Sequence, residues 1–247
     1  MTRDLRPGRP ARPPASSAEV EGFLAEARRS VPARPAAPRP TTHGGAAARL
    51  ILAMDATQSR QPGWDLAQGL QGEMFRVAGD GGLAVQLVYY RGFDECRASR
   101  WAGDALALAR VMSRIDCRAG RTQLARVLSH AVAEARAAPV HGLIFVGDAL
   151  EEPMAPLEAG AADLAMLGVR AFMFQEGAHP EVAAAFGRIA RITGGALLPF
   201  DPAAPDRLRA LLGAVAAVAT RGPAALDRPG RADPKALSLL IGRMGER

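Results

Sequence analysis

The sequence predicts an α/β fold, a doubly wound and mostly parallel sheet with helices on both faces, and three observations carry that prediction. From Arg49 onward, short apolar runs alternate with stretches of helical period. The runs, such as Leu50 to Met54 and Ile144 to Val146, are apolar at consecutive positions, as parallel strands covered on both faces must be. The links between them are short, and strand after helix with short links implies a parallel sheet sandwiched by helices.

Taken in order, Leu50 to Asp55 is the first strand. Pro62 to Val77 is a helix with proline in its first turn, where the missing N–H has no intrahelical partner to lose. Gly79-Asp80-Gly81-Gly82 is a turn into the strand Leu83 to Tyr90, and Asp94 to Arg100 is a hairpin or an edge strand. Asp104 to Ile115 and Thr122 to Ala137 are helices, with apolar residues at Leu106, Ala109 and Val111 and at Leu124, Val127, Leu128 and Ala131. Val140 to Val146 is a buried strand, Pro156 to Leu167 a helix and Val169 to Phe174 a strand. Pro180 to Thr193 is a helix ended by Gly194-Gly195, glycine being a common helix terminator. Ala196 to Phe200 is a last short strand and Pro205 to Ala219 the closing helix.

Residues 49–220 are therefore the domain, flanked by an arm at 1–48 and a tail at 221–247 with a short helix near Pro234 to Ile241. The arm holds eight of the 19 prolines, and such a composition buries too little to offset the entropy of ordering. A short helix over 16–30 interrupts this largely disordered arm. Ser16-Ser17-Ala18-Glu19 is a capping box, followed by Val20, Phe23, Leu24 and Ala27 at helical spacing. That helix either docks on its own domain or is offered to a partner.

The net charge of +6 is misleading until it is located. Residues 1–49 carry nine arginines against Asp4, Glu19, Glu21 and Glu26, five of the six surplus charges. A nucleic-acid groove would put the excess on the folded part, so no nucleic-acid partner is expected. The longest apolar stretch, Leu211 to Ala219, is far short of the ~20 residues of a spanning helix, so no membrane is expected either. No hydrophobic region follows the N-terminal charges, and Cys96 and Cys117 make no metal framework. The expected address is cytoplasmic.

Asp55-Ala-Thr-Gln-Ser59 ends the first strand in a carboxylate and two hydroxyls. Those are hard oxygen donors on one loop, of the kind Mg²⁺ prefers. Gly120-Arg121-Thr122 adds a threonine at the start of a helical stretch, and Ile144 to Asp148 ends a second strand in a carboxylate. The sheet type gathers strand ends at one edge, where ligands of doubly wound folds bind.

Carboxylate with hydroxyls, then threonine 67 residues after Asp55, then a second carboxylate 26 residues later resembles the metal-ion-dependent adhesion site of von Willebrand factor A (VWA) domains. The resemblance covers about Arg49 to Thr220 and implies a Rossmann-like VWA fold. It implies that Asp55, Thr57, Ser59, Thr122 and Asp148 surround one Mg²⁺ (or Mn²⁺), with an open position for a carboxylate of a partner protein. A binding module without catalytic activity of its own follows. Bacterial cytoplasmic members act as adaptors, often beside ring-forming ATPases or chelatase-type complexes, so the resemblance implies a partner of that class. Two departures stand out. Thr57 replaces the commoner serine and keeps the hydroxyl; Ala149 follows Asp148 where the family often has glycine, which leaves Glu151 and Glu152 as extra carboxylates or as ordinary helix-start residues.

Two rivals stay open. A haloacid-dehalogenase-like phosphatase would use Asp55 as nucleophile and Gly147-Asp148 with Glu152 as its closing acids. Against it, the general-acid position is Thr57, and the single lysine of the chain is Lys235. The other rival is a structural VWA-like domain with an empty site. No G-x-x-x-x-G-K-[ST] loop is present, Gly79, Gly81 and Gly82 precede a strand instead of opening a helix, and His43, His130, His141 and His179 lack ligand spacing.

Overall fold

The computed structural model describes residues 48–57, 61–78, 82–225 and 232–245. The arm, with its helix predicted over 16–30, lies outside the described residues. Six strands form one sheet: β1 (Ala48–Asp55), β2 (Leu83–Arg91), β3 (Glu95–Ala102), β4 (Gly142–Gly147), β5 (Arg170–Glu176) and β6 (Ala196–Phe200). Their spatial order is β3-β2-β1-β4-β5-β6, and every neighbouring pair is parallel except β2 with β3. The segment read as either a hairpin or an edge strand is both, an antiparallel edge strand turned back from β2. Its register shifts between Gln86 and Val88, where Ser99 fills the gap: its hydroxyl accepts from Leu87 N and its carbonyl from Gln86 Nε2.

Because alternate strand residues face opposite sides, β1 feeds two cores. Leu50, Leu52 and Met54 pack with α1 (Gln61–Leu70), α2 (Gly72–Ala78), α3 (Ala105–Met112), α7 (Pro205–Arg221) and α8 (Pro234–Gly245). Ile51 and Ala53 pack with α4 (Leu124–Ala137), α5 (Met154–Met166) and α6 (Pro180–Thr193). This is the doubly wound arrangement the sequence predicts.

Three local differences have physical causes. The helix predicted over Pro62 to Val77 is broken at Gln71, which is buried and donates through Nε2 to the Ala105 carbonyl at 3.1 Å. Gly69 and Gly72 flank the break and weaken helix propensity there. α3 starts after Asp104, whose carboxylate accepts from Ala107 N, and ends at Met112 instead of Ile115. α4 starts at Leu124, leaving Thr122 in the preceding loop.

The run Leu211 to Ala219 is a helix buried all round, which its lack of a polar face implies. On its outer side the closing segment folds back as α8. Leu237 and Leu240 are wholly buried in the first core, a burial of roughly 2 kcal/mol each. Asp233 caps Ala236 N, and Arg243 Nη1 donates to the Leu197 carbonyl at 2.8 Å. No helix among the described residues is long and apolar enough to cross a membrane.

Candidate metal centre

β1 and β4 run side by side with Met54 opposite Val146, so Asp55 and Asp148 leave the sheet at the same edge. Asp55 is only 2 % exposed. Its Oδ1 accepts the Thr57 backbone N–H at 2.8 Å, a turn that swings Thr57 across the strand end. Ala56 continues the ladder by donating to the Tyr90 carbonyl, and its own carbonyl accepts Arg118 N at 2.9 Å.

That last bond pulls the 113–123 loop over the edge. Arg121 N donates to the Gly92 carbonyl, and Gly120 lies so close that a Cβ there would sit 2.2 Å from the Gly92 oxygen. Glycine is required by this approach. Thr122 is thereby turned inward and buried, and its Oγ1 accepts the Glu151 N–H at 3.0 Å. Glu152 completes the connection: its carboxylate accepts Leu124 N at 2.5 Å and Ala125 N at 2.9 Å. The Gln123 side chain makes no capping bond, so the acid that neutralises the first turn of α4 comes from another loop. Neither Glu151 nor Glu152 opens α5, which starts at Met154.

The outcome is one cavity of about 280 Å³, lined among the described residues by Asp55, Thr57, Gly120, Thr122, Asp148 and Glu151, with Ala119 and Ala149. Ser59, the remaining predicted donor, lies outside the described residues. Two carboxylates and two hydroxyls are hard oxygen donors, so the residues present fit a small divalent cation. Among the described residues, no three His, Cys, Asp or Glu side chains converge as a metal cage. The threonine hydroxyls are the further oxygen donors that the described residues offer such a site.

Sequence reasoning missed Tyr90. It is the last residue but one of β2, directly opposite Asp55 and wholly buried, its ring stacked on Phe145 at 6.4 Å between centroids. The hydroxyl approaches Asp55 without reaching normal hydrogen-bond geometry and has no other partner among the described residues. Burial first, then the Asp55 charge, with smaller contributions from Glu152 and Asp148, push the phenol well above its usual value of 10. In a strand apolar at most positions, one more tyrosine gives no sequence signal. Two of the described histidines serve the scaffold: His130 pairs with Gln86, and His141 Nδ1 accepts from Arg49 N. Cys96 and Cys117 are not joined by a disulfide.

No protein-family model matches the chain, and no curated protein matches by sequence. Solved structures do match. The SpRpn10 VWA domain superposes with a TM-score of 0.51 over 64% of this chain and 89% of its own, at 11% identity. The fold is that of a VWA domain. An aerotolerance-related membrane protein from Bacteroides fragilis shares the fold at a TM-score of 0.50, covering 64% of this chain and 95% of that one at 16% identity. The human COPII-coat protein Sec24c reaches 0.55 over 68% of this chain at 12% identity. This chain spans only about a third, 32%, of the length of Sec24c. At such identities the likeness concerns the VWA architecture, and the chemistry of the cavity must be argued from its own residues.

Proposed function

We propose that the protein is a cytoplasmic, metal-dependent protein-binding adaptor that presents a Mg²⁺-type cation to an acidic side chain of a partner, and that it has no catalytic activity of its own. One observation carries this reading: Asp55, Thr57, Thr122 and Asp148, drawn from three loops distant in sequence, line the same cavity. When bound, the cation supplies a positive centre able to accept one further oxygen ligand. Asp55 and Asp148 balance its charge, and the hydroxyls of Thr57 and Thr122, with Ser59, complete the donor set. The backbone bonds to Asp55 and Thr122 pre-orient two of these donors.

The three carboxylates of the lining, Asp55, Asp148 and Glu151, support a binding role over phosphate-ester hydrolysis, since like charges repel an incoming phosphate. Partners of the ring-forming ATPase or chelatase-type class would fit the adaptor role, and Mn²⁺ would fit the same donors.

Thermal unfolding with Mg²⁺ against chelator tests the site. A ligand that binds only the folded state stabilises it by about 1.4 kcal/mol at ten times its dissociation constant. Wild type should melt higher with Mg²⁺ and Asp55→Ala should not respond; an equal absence of response in both would leave a structural domain with an empty site. Partner capture that survives chelation would sink the metal bridge. Turnover of a generic phosphate ester, lost in Asp55→Asn, would establish the phosphatase instead.

A further inference from the structure

Three large apolar side chains are prominently exposed among the described residues: Phe93 at 69 %, Leu106 at 60 % and Met166 at 85 %. Leu106 lies in the first turn of α3 and Met166 at the end of α5, both at the amino edge of the parallel strands. Phe93 lies at the opposite edge, in the β2–β3 turn, and that edge also holds the cavity. Gly92 beside it lies against Gly120 of the cavity lining.

The ring is not alone. The Arg121 guanidinium stands 5.8 Å from its centroid, held out from a backbone whose neighbours, Gly120 and Thr122, both line the cavity. Arg118, on the same loop, is also exposed. Among the described residues neither guanidinium makes an ion pair, although Glu95, close to Arg118, is paired with Arg91 and Arg97. The rim therefore changes sign across the opening. Exposed Glu151 stands on the β4–α5 side, while an aromatic face with Arg121 and Arg118, neither ion-paired among the described residues, stands on the β2–β3 side.

We propose that Phe93, Arg121 and Arg118 form a docking rim for an extended acidic segment of a partner protein. Its apolar side chain lies on the Phe93 ring, and a second carboxylate pairs with Arg121 while the first enters the cavity. This rests on the metal-bridged reading and adds the partner's chemistry to it. One carboxylate on a cation gives little discrimination between acidic partners. A second charge and an apolar anchor at a fixed offset supply it, since a planar guanidinium pairs with carboxylate by two parallel bonds. A nucleic acid would also stack on an aromatic ring beside arginine, but the neighbouring cavity, lined by Asp55, Asp148 and Glu151, repels a phosphate backbone.

The test is a displayed random-peptide library panned on the full chain in millimolar magnesium. The recovered peptides are then measured by fluorescence anisotropy on wild type, Phe93→Ala, Arg121→Glu and Asp55→Ala. The altered rim side chains are exposed, so both rim variants should keep the wild-type melting curve. The expected peptides carry two carboxylates and an apolar residue, and each rim variant weakens their binding about tenfold, the scale of one lost exposed contact of this kind with charge reversal. Recovery of no such peptide, or binding to both rim variants as tight as to wild type, overturns the proposal. Binding of a single-stranded oligonucleotide that depends on Phe93 and Arg121 also overturns it. The two readings fail separately. Binding that needs the rim but survives chelator and Asp55→Ala sinks the metal bridge alone, and binding that needs metal but ignores the rim variants sinks the rim alone.

Discussion

Glu152 accepts the backbone N–H of Leu124 at 2.5 Å across 28 residues of sequence, and so caps a helix to which it does not belong. The same carboxylate takes Ala125 N, while Glu151 N donates to Thr122. The loop bearing Asp148 and the loop bearing Thr122 are thus fastened to each other before any ligand arrives. Glu152→Ala leaves two N–H groups at the start of α4 without their acceptor, a loss of about 1–2 kcal/mol. In a domain of this size the melting point should fall by about 2–8 °C. Amide exchange at Leu124 and Ala125 should accelerate with it. Removing Glu181, an exposed acid in the first turn of α6 far from α4 in sequence, is the control and should leave exchange at Leu124 and Ala125 unchanged, costing at most the ~0.3–1 kcal/mol of a first-turn charge.

Tyr90 bears on alkaline stability. Its phenol is held well above 10 in the folded protein, chiefly by burial and then by Asp55. The unfolded chain ionises it near 10, so above that pH the unfolded state has released a proton that the folded state retains. The contribution is complete below about pH 10 and is lost as pH rises from there toward the folded value. Ultraviolet difference spectra should show the Tyr90 ionisation arriving only with alkaline unfolding, and Tyr90→Phe should lack that step. Removing a buried hydroxyl that has no good partner should leave neutral-pH stability equal or higher by up to about 1 kcal/mol. A marked loss would mean that Asp55 depends on this hydroxyl.

His141 acts on the acid side. Its Nδ1 accepts the Arg49 backbone N–H at 3.0 Å, which requires the neutral ring. Burial first lowers its pKa below 6.5, and the nearby Arg49 charge acts in the same direction. The unfolded chain takes up the proton first, so stability is complete above about pH 6.5 and declines as pH falls from there to the folded value. In His141→Asn a carbonyl oxygen can replace Nδ1 as acceptor without titrating. Urea midpoints between pH 7 and 5 should therefore fall less steeply in the variant than in wild type.

How much of this was legible in the sequence depends on whether the signal was local. Leu50 to Asp55 and Ile144 to Asp148 read correctly because a strand buried on both faces must be apolar at nearly every position. Pro180 to Thr193 was bounded by its own ends, proline at the start and left-handed Gly194 after the last turn. The break at Gln71 was not legible, because it depends on a hydrogen bond to Ala105, 34 residues away. In the cavity, Asp55, Thr57, Thr122 and Asp148 announced themselves as oxygen donors at predicted strand or helix ends. The groups that brace them did not. Glu152 looked like any surface acid before a helix, and Tyr90 like any strand aromatic, since their roles exist only across the sheet edge. Ser59 belongs to the legible pattern but lies outside the described residues.

Gly120 offers a sharp test of how the loops are seated. Its backbone lies against Gly92, and a methyl group would sit 2.2 Å from the carbonyl oxygen and 2.4 Å from the amide nitrogen. Both obstacles are backbone, so no side-chain rotation relieves them. Gly120→Ala should lose about 1–3 kcal/mol by overpacking. Gly103→Ala is the matched control, with nothing within 4 Å of the added carbon, and should change stability by no more than about 0.5 kcal/mol. The two variants also separate stability from function. Displacing Gly120 moves Thr122 and Arg121 with it, so Gly120→Ala should lose much of any Mg²⁺-dependent rise in melting point, while Gly103→Ala keeps the whole of it. Loss of stability with an undiminished magnesium response would mean that Thr122 is dispensable to the site.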